Sequence, residues 1–243
     1  MLLTTDALVL QTTRYGDSSL IVHLFTREAG MLSCVARYPR SARGRVRSGT
    51  RLFQPLSVVE VTLDVQASRA LASVREVHVA CPYSRIPFDP VRGAIALFLA
   101  EFLNYVLSGE GENRPLFLFL EESMRWLDST ERGMANFHIV FLFRLSLFLG
   151  IRPFTEDYAE GAFFDLREGC FTMLRPLHPD YLPADESERF ARLLRMRFET
   201  MHLFPFSRVQ RNRCLELLVR YYRLHVPSLP ELKSLDVLRE LFD

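Results

Sequence analysis

Closely spaced cysteines are missing from this chain: the four, at 34, 81, 170 and 214, leave no pair two to four residues apart. Zinc ribbons and fingers are built on such pairs, so that class is excluded. The thiols read as small buried hydrophobes in a reducing compartment. Long apolar runs are missing too. AIALFLAEFLNYVL (94–107) and IVFLFRLSLFLGI (139–151) are each broken by a charge and fall short of the roughly 18 residues a membrane span needs. The N-terminus, MLLTTDALVL, lacks the basic start and small-residue cleavage site of a secretory leader. These absences predict a cytoplasmic chain with no membrane partner. No glycine-rich phosphate loop, HExxH or GxSxG motif occurs, and the six histidines are scattered. Glu121 and Glu122 are adjacent on a helical segment and so point about 100° apart, which suits no acid–base pair. The sequence therefore predicts no catalytic residue, no metal and no cofactor, and a protein that is not an enzyme. Lysine is almost absent, since all but Lys233 of the 30 basic residues are arginine. Genome composition bias accounts for that without invoking function.

What is present is a local excess of arginine. The formal net charge of +1 hides an asymmetry: residues 1–80 carry ten Arg against six acids, whereas residues 81–243 carry twenty basic against twenty-three acidic residues. In TREAGMLSCVARYPRSARGRVRSGTRLF (26–53) arginine stands at 27, 37, 40, 43, 45, 47 and 51, with Glu28 as the only acid. Local charge of this kind bears on binding more than the total does.

The first 80 residues read as strands. DALVLQTTRY (6–15), SSLIVHLFT (18–26), GMLSCVARY (30–38), PLSVVEVTLD (55–64) and ALASVREVHV (70–79) are β-branched or aromatic runs between short breaks. Five strands with one longer connection at 39–53 predict a small closed barrel of the OB type. After CPYSRIPFDP (81–90) the period changes. Asp89-Pro90 reads as an N-cap followed by proline at the first helical position. Helices are expected near 90–108, 115–128, 135–149, 186–201, 207–225 and 234–242, packed as a bundle, with a hairpin at about 161–175 turning through REG. The fold class is α+β: a barrel domain over 1–80 and a mostly helical domain over 81–243.

An OB barrel is a recurrent platform for single-stranded nucleic acid. Arg37, Arg40, Arg43, Arg45, Arg47 and Arg51 lie on or beside one connection, with Tyr38 interleaved as a stacking ring. Arginine suits phosphate because its planar fork holds two oxygens at once. Arg14, at the first turn of the barrel beside Tyr15, is a weaker candidate. A solvated arginine loop is the plain alternative.

These residues also resemble a family. ALVLQTTRYGDSSLIVHLFTREAGMLSCVARYPRS is similar to the start of the RecO recombination mediators, which read as strand, Y-G-E/D, strand, T-R-E-x-G, strand and basic loop. LFQPLSVVEVTL and LASVREVHV resemble the fourth and fifth strands of that barrel. In FLFRLSLFLGIRP (141–153), Phe141, Arg144, Leu145, Leu149, Gly150 and Pro153 match the family's F-E-L-R-L-L-x-x-L-G-x-x-P helix, and LKSLDVLREL (232–241) resembles its C-terminal helix. The resemblance implies binding of single- and double-stranded DNA and annealing of complementary strands. It also implies work with RecR, and in some systems RecF, to help RecA replace single-strand-binding protein. Many members dock the acidic, Phe-ended tail of single-strand-binding protein on the helical domain. Many also carry four zinc-binding cysteines after G-x-x-P. Here that segment holds only Cys170, so no zinc is predicted and FFDLREGCF is expected to build a metal-free hairpin.

Arg144 interrupts an otherwise apolar helix. Phe137, Phe141, Arg144 and Phe148 share one face by their spacing. Two readings stand open: an internal ion pair, to Glu101 or Glu122, or a docking residue that meets the carboxylate of the incoming tail while Phe141 and Phe148 hold its ring. For the whole chain, DNA binding and annealing competes with an RNA-binding barrel and with a protein-interaction scaffold.

Overall fold

The computed structural model describes residues 1–37, 49–66 and 68–240. Five strands, β1 (Leu2–Tyr15), β2 (Ser19–Thr26), β3 (Gly30–Arg37), β4 (Val58–Asp64) and β5 (Ala72–Cys81), close into a barrel in the order β1-β2-β3-β5-β4. This is the OB-type barrel that the strand count and short turns predict. β4 returns to β1, pairing from Leu2 with Asp64 to Leu8 with Val58. Closure between β3 and β5 is parallel and brief, over Cys34–Ala72 and Val35–Ser73. Strand alternation builds the interior: Leu20, Val22 and Leu24 of β2 and Val59, Val61 and Leu63 of β4 are fully buried in one cluster. Phe53, just after the helical turn α1 (Gly49–Leu52), joins that cluster.

The chain forms two compact units. The first holds the barrel, α2 (Pro90–Val106), α3 (Arg114–Ser129) and α7 (Lys233–Glu240). Asp89 starts α2 as its sequence predicts, accepting from the amides of Val91 at 2.9 Å and Arg92 at 3.2 Å. Phe25, on the outer face of β2, is also fully buried, against Phe117 of α3 with ring centroids 6.4 Å apart. Strands give way to helices near residue 80 as expected. The compact unit nevertheless runs on to Ser129, because the barrel's outer face is itself apolar and α2 and α3 cover it.

The second unit, within Thr130–Pro230, holds α4 (Phe137–Phe148), α5 (Ala184–Leu194), α6 (Arg208–His225) and a small sheet. β6 (Phe163–Asp165) and β7 (Cys170–Thr172) form the expected hairpin, and β8 (Tyr181–Leu182) adds a third strand in the order β7-β6-β8. Phe164 lies at its centre, 4.9 Å from the Phe171 ring and 4.7 Å from that of Phe190. Tyr222 of α6 donates to the Leu142 carbonyl of α4 at 2.7 Å. One helix is shorter than its sequence suggests. α5 ends at Leu194 rather than 201, because Met196 and Phe198 are buried at every second position and the chain there is no longer helical.

Candidate nucleic-acid interface

Register places Arg14 and Arg37, with Tyr15, at one end of the barrel. Tyr15 pairs with Ser19, and Ser19 pairs with Arg37, so Tyr15 and Arg37 share a face across three neighbouring strands. Arg14, one residue earlier, takes the alternate face of β1 where the strand runs past the core. Both arginines are exposed, and Tyr15 is 59% exposed. The left-handed Gly16, with φ +64°, makes the tight turn from β1 to β2. Arg51 is exposed on α1, two residues before Phe53, whose carbonyl accepts from the Thr12 hydroxyl at 3.0 Å. The described flanks of the arginine-rich connection, Arg37 and Arg51, are therefore both tied to the far half of β1. Tyr38, Arg40, Arg43, Arg45 and Arg47 lie outside the described residues.

Arg27, in the same arginine-rich window, has a different task. Its guanidinium lies between Asp6 at 2.9 Å and Glu121 of α3 at 3.2 Å, and 5.0 Å over the Phe117 ring. Burial raises the Asp6 carboxyl above its ordinary value although Arg27 draws it down. Neighbouring residues of the turn act with it. Glu28 accepts from the Thr5 hydroxyl and lies 3.8 Å from Arg114. The Thr26 hydroxyl donates to the Gly30 carbonyl at 2.9 Å and accepts from the Ala29 amide at 3.1 Å. Gly30 has φ +68°, and a Cβ there would sit 2.2 Å from the Gly111 carbonyl oxygen. The Met31 amide donates to Glu110 at 2.9 Å beside it. Thr26, Arg27, Glu28 and Gly30 thus hold the β2–β3 turn against the start of α3 and the loop before it.

In the second unit, Arg144 is half-buried, with its guanidinium 5.7 Å over the Phe198 ring. Glu101, named above as an ion-pair partner, instead holds the start of α7: its carboxylate accepts from the amides of Lys233 at 3.0 Å and Ser234 at 2.8 Å. Phe141 corrects the docking reading. It has no exposed surface and stacks on Phe137 at 6.1 Å, so it can support a surface but not touch a partner. Phe148 is half-buried.

Among known proteins, residues 1–83 match the Recombination protein O N-terminal family, and residues 87–236 match the Recombination protein O C-terminal family. The chain is 50% identical over 242 residues to the DNA repair protein RecO of Phocaeicola vulgatus, covering both proteins in full. It is 38% identical over 250 residues to that of Porphyromonas gingivalis and 30% over 243 residues to that of Flavobacterium psychrophilum, again over full lengths. The chain belongs to the RecO family.

Within this RecO chain the TREAG turn has a physical meaning: it is the joint between the barrel and its covering helices. The turn of the hairpin that carries Cys170 is held by Asp165. Asp165 Oδ1 accepts from the amides of Arg167 at 2.8 Å and Glu168 at 3.1 Å, and its Oδ2 meets His178 Nε2 at 3.1 Å. Among the described residues, no group of three or more His, Cys, Asp or Glu side chains is placed to hold a metal ion. Burial raises the Cys34 and Cys214 thiols to about 12, which keeps them protonated and unreactive. No described helix is long and apolar enough to cross a membrane.

Proposed function

We propose that this RecO protein binds single-stranded DNA at the arginine-bearing end of its barrel and brings complementary strands together. The duplex that forms is held through the same phosphate contacts. Membership of the family places the chain in DNA repair and recombination. The observation that carries the finer reading is the convergence of Arg14, Arg37 and Arg51, with the exposed ring of Tyr15, on the two ends of the arginine-rich connection. Arginine forks take phosphate oxygens, and a ring offers a stacking face to any base. A barrel that binds both partners of a duplex by backbone alone can anneal them without sequence preference. In this reading RecR is the partner that helps RecA replace single-strand-binding protein, in some systems with RecF. Arg144 and Phe148 meet the acidic, Phe-ended tail of single-strand-binding protein.

Replacing Arg43, Arg45 and Arg47 together with Ala tests the phosphate contacts. Each phosphate contact releases counterions, so binding to labelled oligothymidine should weaken and the salt slope should flatten by about 0.7 per lost contact. An unchanged slope makes the connection a solvated surface. Preference for RNA over DNA in direct competition favours the RNA-binding alternative, and the absence of salt-sensitive binding favours a protein scaffold.

A further inference from the structure

A cleft of about 540 Å³ opens beside the arginine-bearing end of the barrel, between β1, α2 and α7. Leu97 and Phe53 stand in its apolar walls, and its polar lining includes Gln11, Asn104, Tyr105 and Lys233, with the Glu101 carboxylate turned to the amides of Lys233 and Ser234. Three features make it a built site. First, the pairing of β1 with β2 slips between Val9 and Gln11, leaving Leu10 as a bulge that sets Gln11 against His23. Bulges of this kind re-aim side chains and cluster at functional sites. Second, Asn104 is nine-tenths buried and locked on both sides: its Oδ1 meets His23 Nδ1 at 2.7 Å, and its Nδ2 donates to Gln11 Oε1 at 3.0 Å. The amide plane of Gln11 is thereby fixed, while its own Nε2 donates to no described residue. Third, α7 is fastened in place by Glu101, which leaves Lys233 exposed at the rim with no ion pair among the described residues.

An apolar slot with a fixed amide at its edge, a tyrosine in its lining and a cation at its rim matches one ligand chemistry. The ligand has a flat heteroaromatic ring with hydrogen-bonding edges and an attached phosphate. Gln and Asn amides pair naturally with base edges, and apolar walls replace the stacking that an unpaired base loses. The wall residue Phe53 lies two residues beyond Arg51, which sets the cleft within reach of a strand held by that arginine. We infer that the cleft takes one unstacked base of the bound single strand, with Lys233 on its phosphate. This rests on the DNA-binding reading above and extends it. The barrel would grip single strands both by phosphate and by a base that a duplex keeps paired, which favours single strands before annealing and leaves the paired product held by its phosphates alone.

The test uses the full chain and an oligothymidine carrying one 2-aminopurine, whose emission reports unstacking. Wild type should change that emission on binding. Gln11→Ala, at an exposed side chain, and Leu97→Trp, which fills the slot from a 45% exposed position, should abolish the change. Both should weaken single-strand binding by roughly three- to tenfold, with the salt slope and blunt-duplex affinity unchanged. Two folded variants that keep both the emission change and the affinity overturn the inference while leaving DNA binding by the arginines intact. Saturable binding of 2-aminopurine deoxyribonucleoside monophosphate, without an emission change for the oligonucleotide, also overturns it and makes the cleft a free-nucleotide site. If wild type shows no salt-sensitive DNA binding, both readings fail together.

Discussion

Arg27 and Glu121 are 94 residues apart in sequence, and their side chains meet at 3.2 Å. The pair joins the β2–β3 turn to α3, with Asp6 on the other side of the guanidinium and the Phe117 ring beneath it. Arg27→Ala leaves two carboxylates facing each other over a partly buried site. It should destabilise the protein by roughly 2 kcal/mol, through lost pairing and lost packing. Its DNA affinity should keep the parent's salt slope, because Arg27 has no phosphate to meet. Denaturant titration and binding at two salt concentrations check this. A slope reduced by one contact would show that Arg27 belongs to the DNA surface after all.

His138, on α4, is fully buried, and burial together with the nearby Arg211 pushes its imidazole down to about 3. The unfolded chain binds that proton near the ordinary value of 6.5, so between these limits the unfolded state holds one more proton than the folded state. Stability from this group is fully present above about 6.5 and falls as the pH drops below it. From pH 7.5 to pH 5 the loss is about 2 kcal/mol. His138→Leu should remove that part of the acid sensitivity, measured as a smaller shift in denaturation midpoint between the two pH values. An equal shift in parent and variant assigns the acid sensitivity elsewhere.

The barrel was legible because its cause is local. Strands alternate, so VVEVTLD announces one inward face, and turns such as Tyr15–Ser19 announce themselves by Gly16. The start of α2 was equally plain in Asp89-Pro90. The end of α5 was not, because nothing in RMRFETM marks the point where Met196 and Phe198 turn to the core out of helical period. The basic connection was visible as composition, but its division of labour was not. Arg27 and Arg37 look alike in sequence, and only the apolar outer face of β2, covered by α3, turns the first into a joint. Gln11 and Asn104 escaped notice for a related reason. Neither belongs to a motif, and a bulge at Leu10 together with a helix 93 residues away brings them together.

The hairpin around Cys170 gives a prediction about metal. Its interior is filled by Phe164, Phe171 and Phe190, and its turn is held by Asp165. Packing and hydrogen bonds therefore account for the hairpin's shape. Elemental analysis of the purified protein should find no stoichiometric zinc, and a chelator should leave the melting temperature unchanged. One zinc per chain, or unfolding by the chelator, would contradict this account.

Arg144 is the residue whose two expected roles the structure separates most usefully. Its guanidinium lies over Phe198, and no ion pair to it occurs among the described residues. A half-buried cation over a ring is worth about 0.5–1 kcal/mol, far less than a buried ion pair. Arg144→Ala should therefore fold with a melting temperature close to the parent's. If the guanidinium also meets the carboxylate of an acidic, Phe-ended tail, the same variant should bind such a peptide roughly tenfold more weakly, as loss of a charge-assisted hydrogen bond does. Phe148→Ala should weaken it as well, whereas Phe141→Ala should mainly destabilise the fold, because that ring is wholly interior. The measurement is peptide titration beside thermal melts of the three variants. A folded Arg144→Ala protein that binds the peptide as tightly as the parent removes Arg144 from the docking surface and leaves it a packing residue on Phe198.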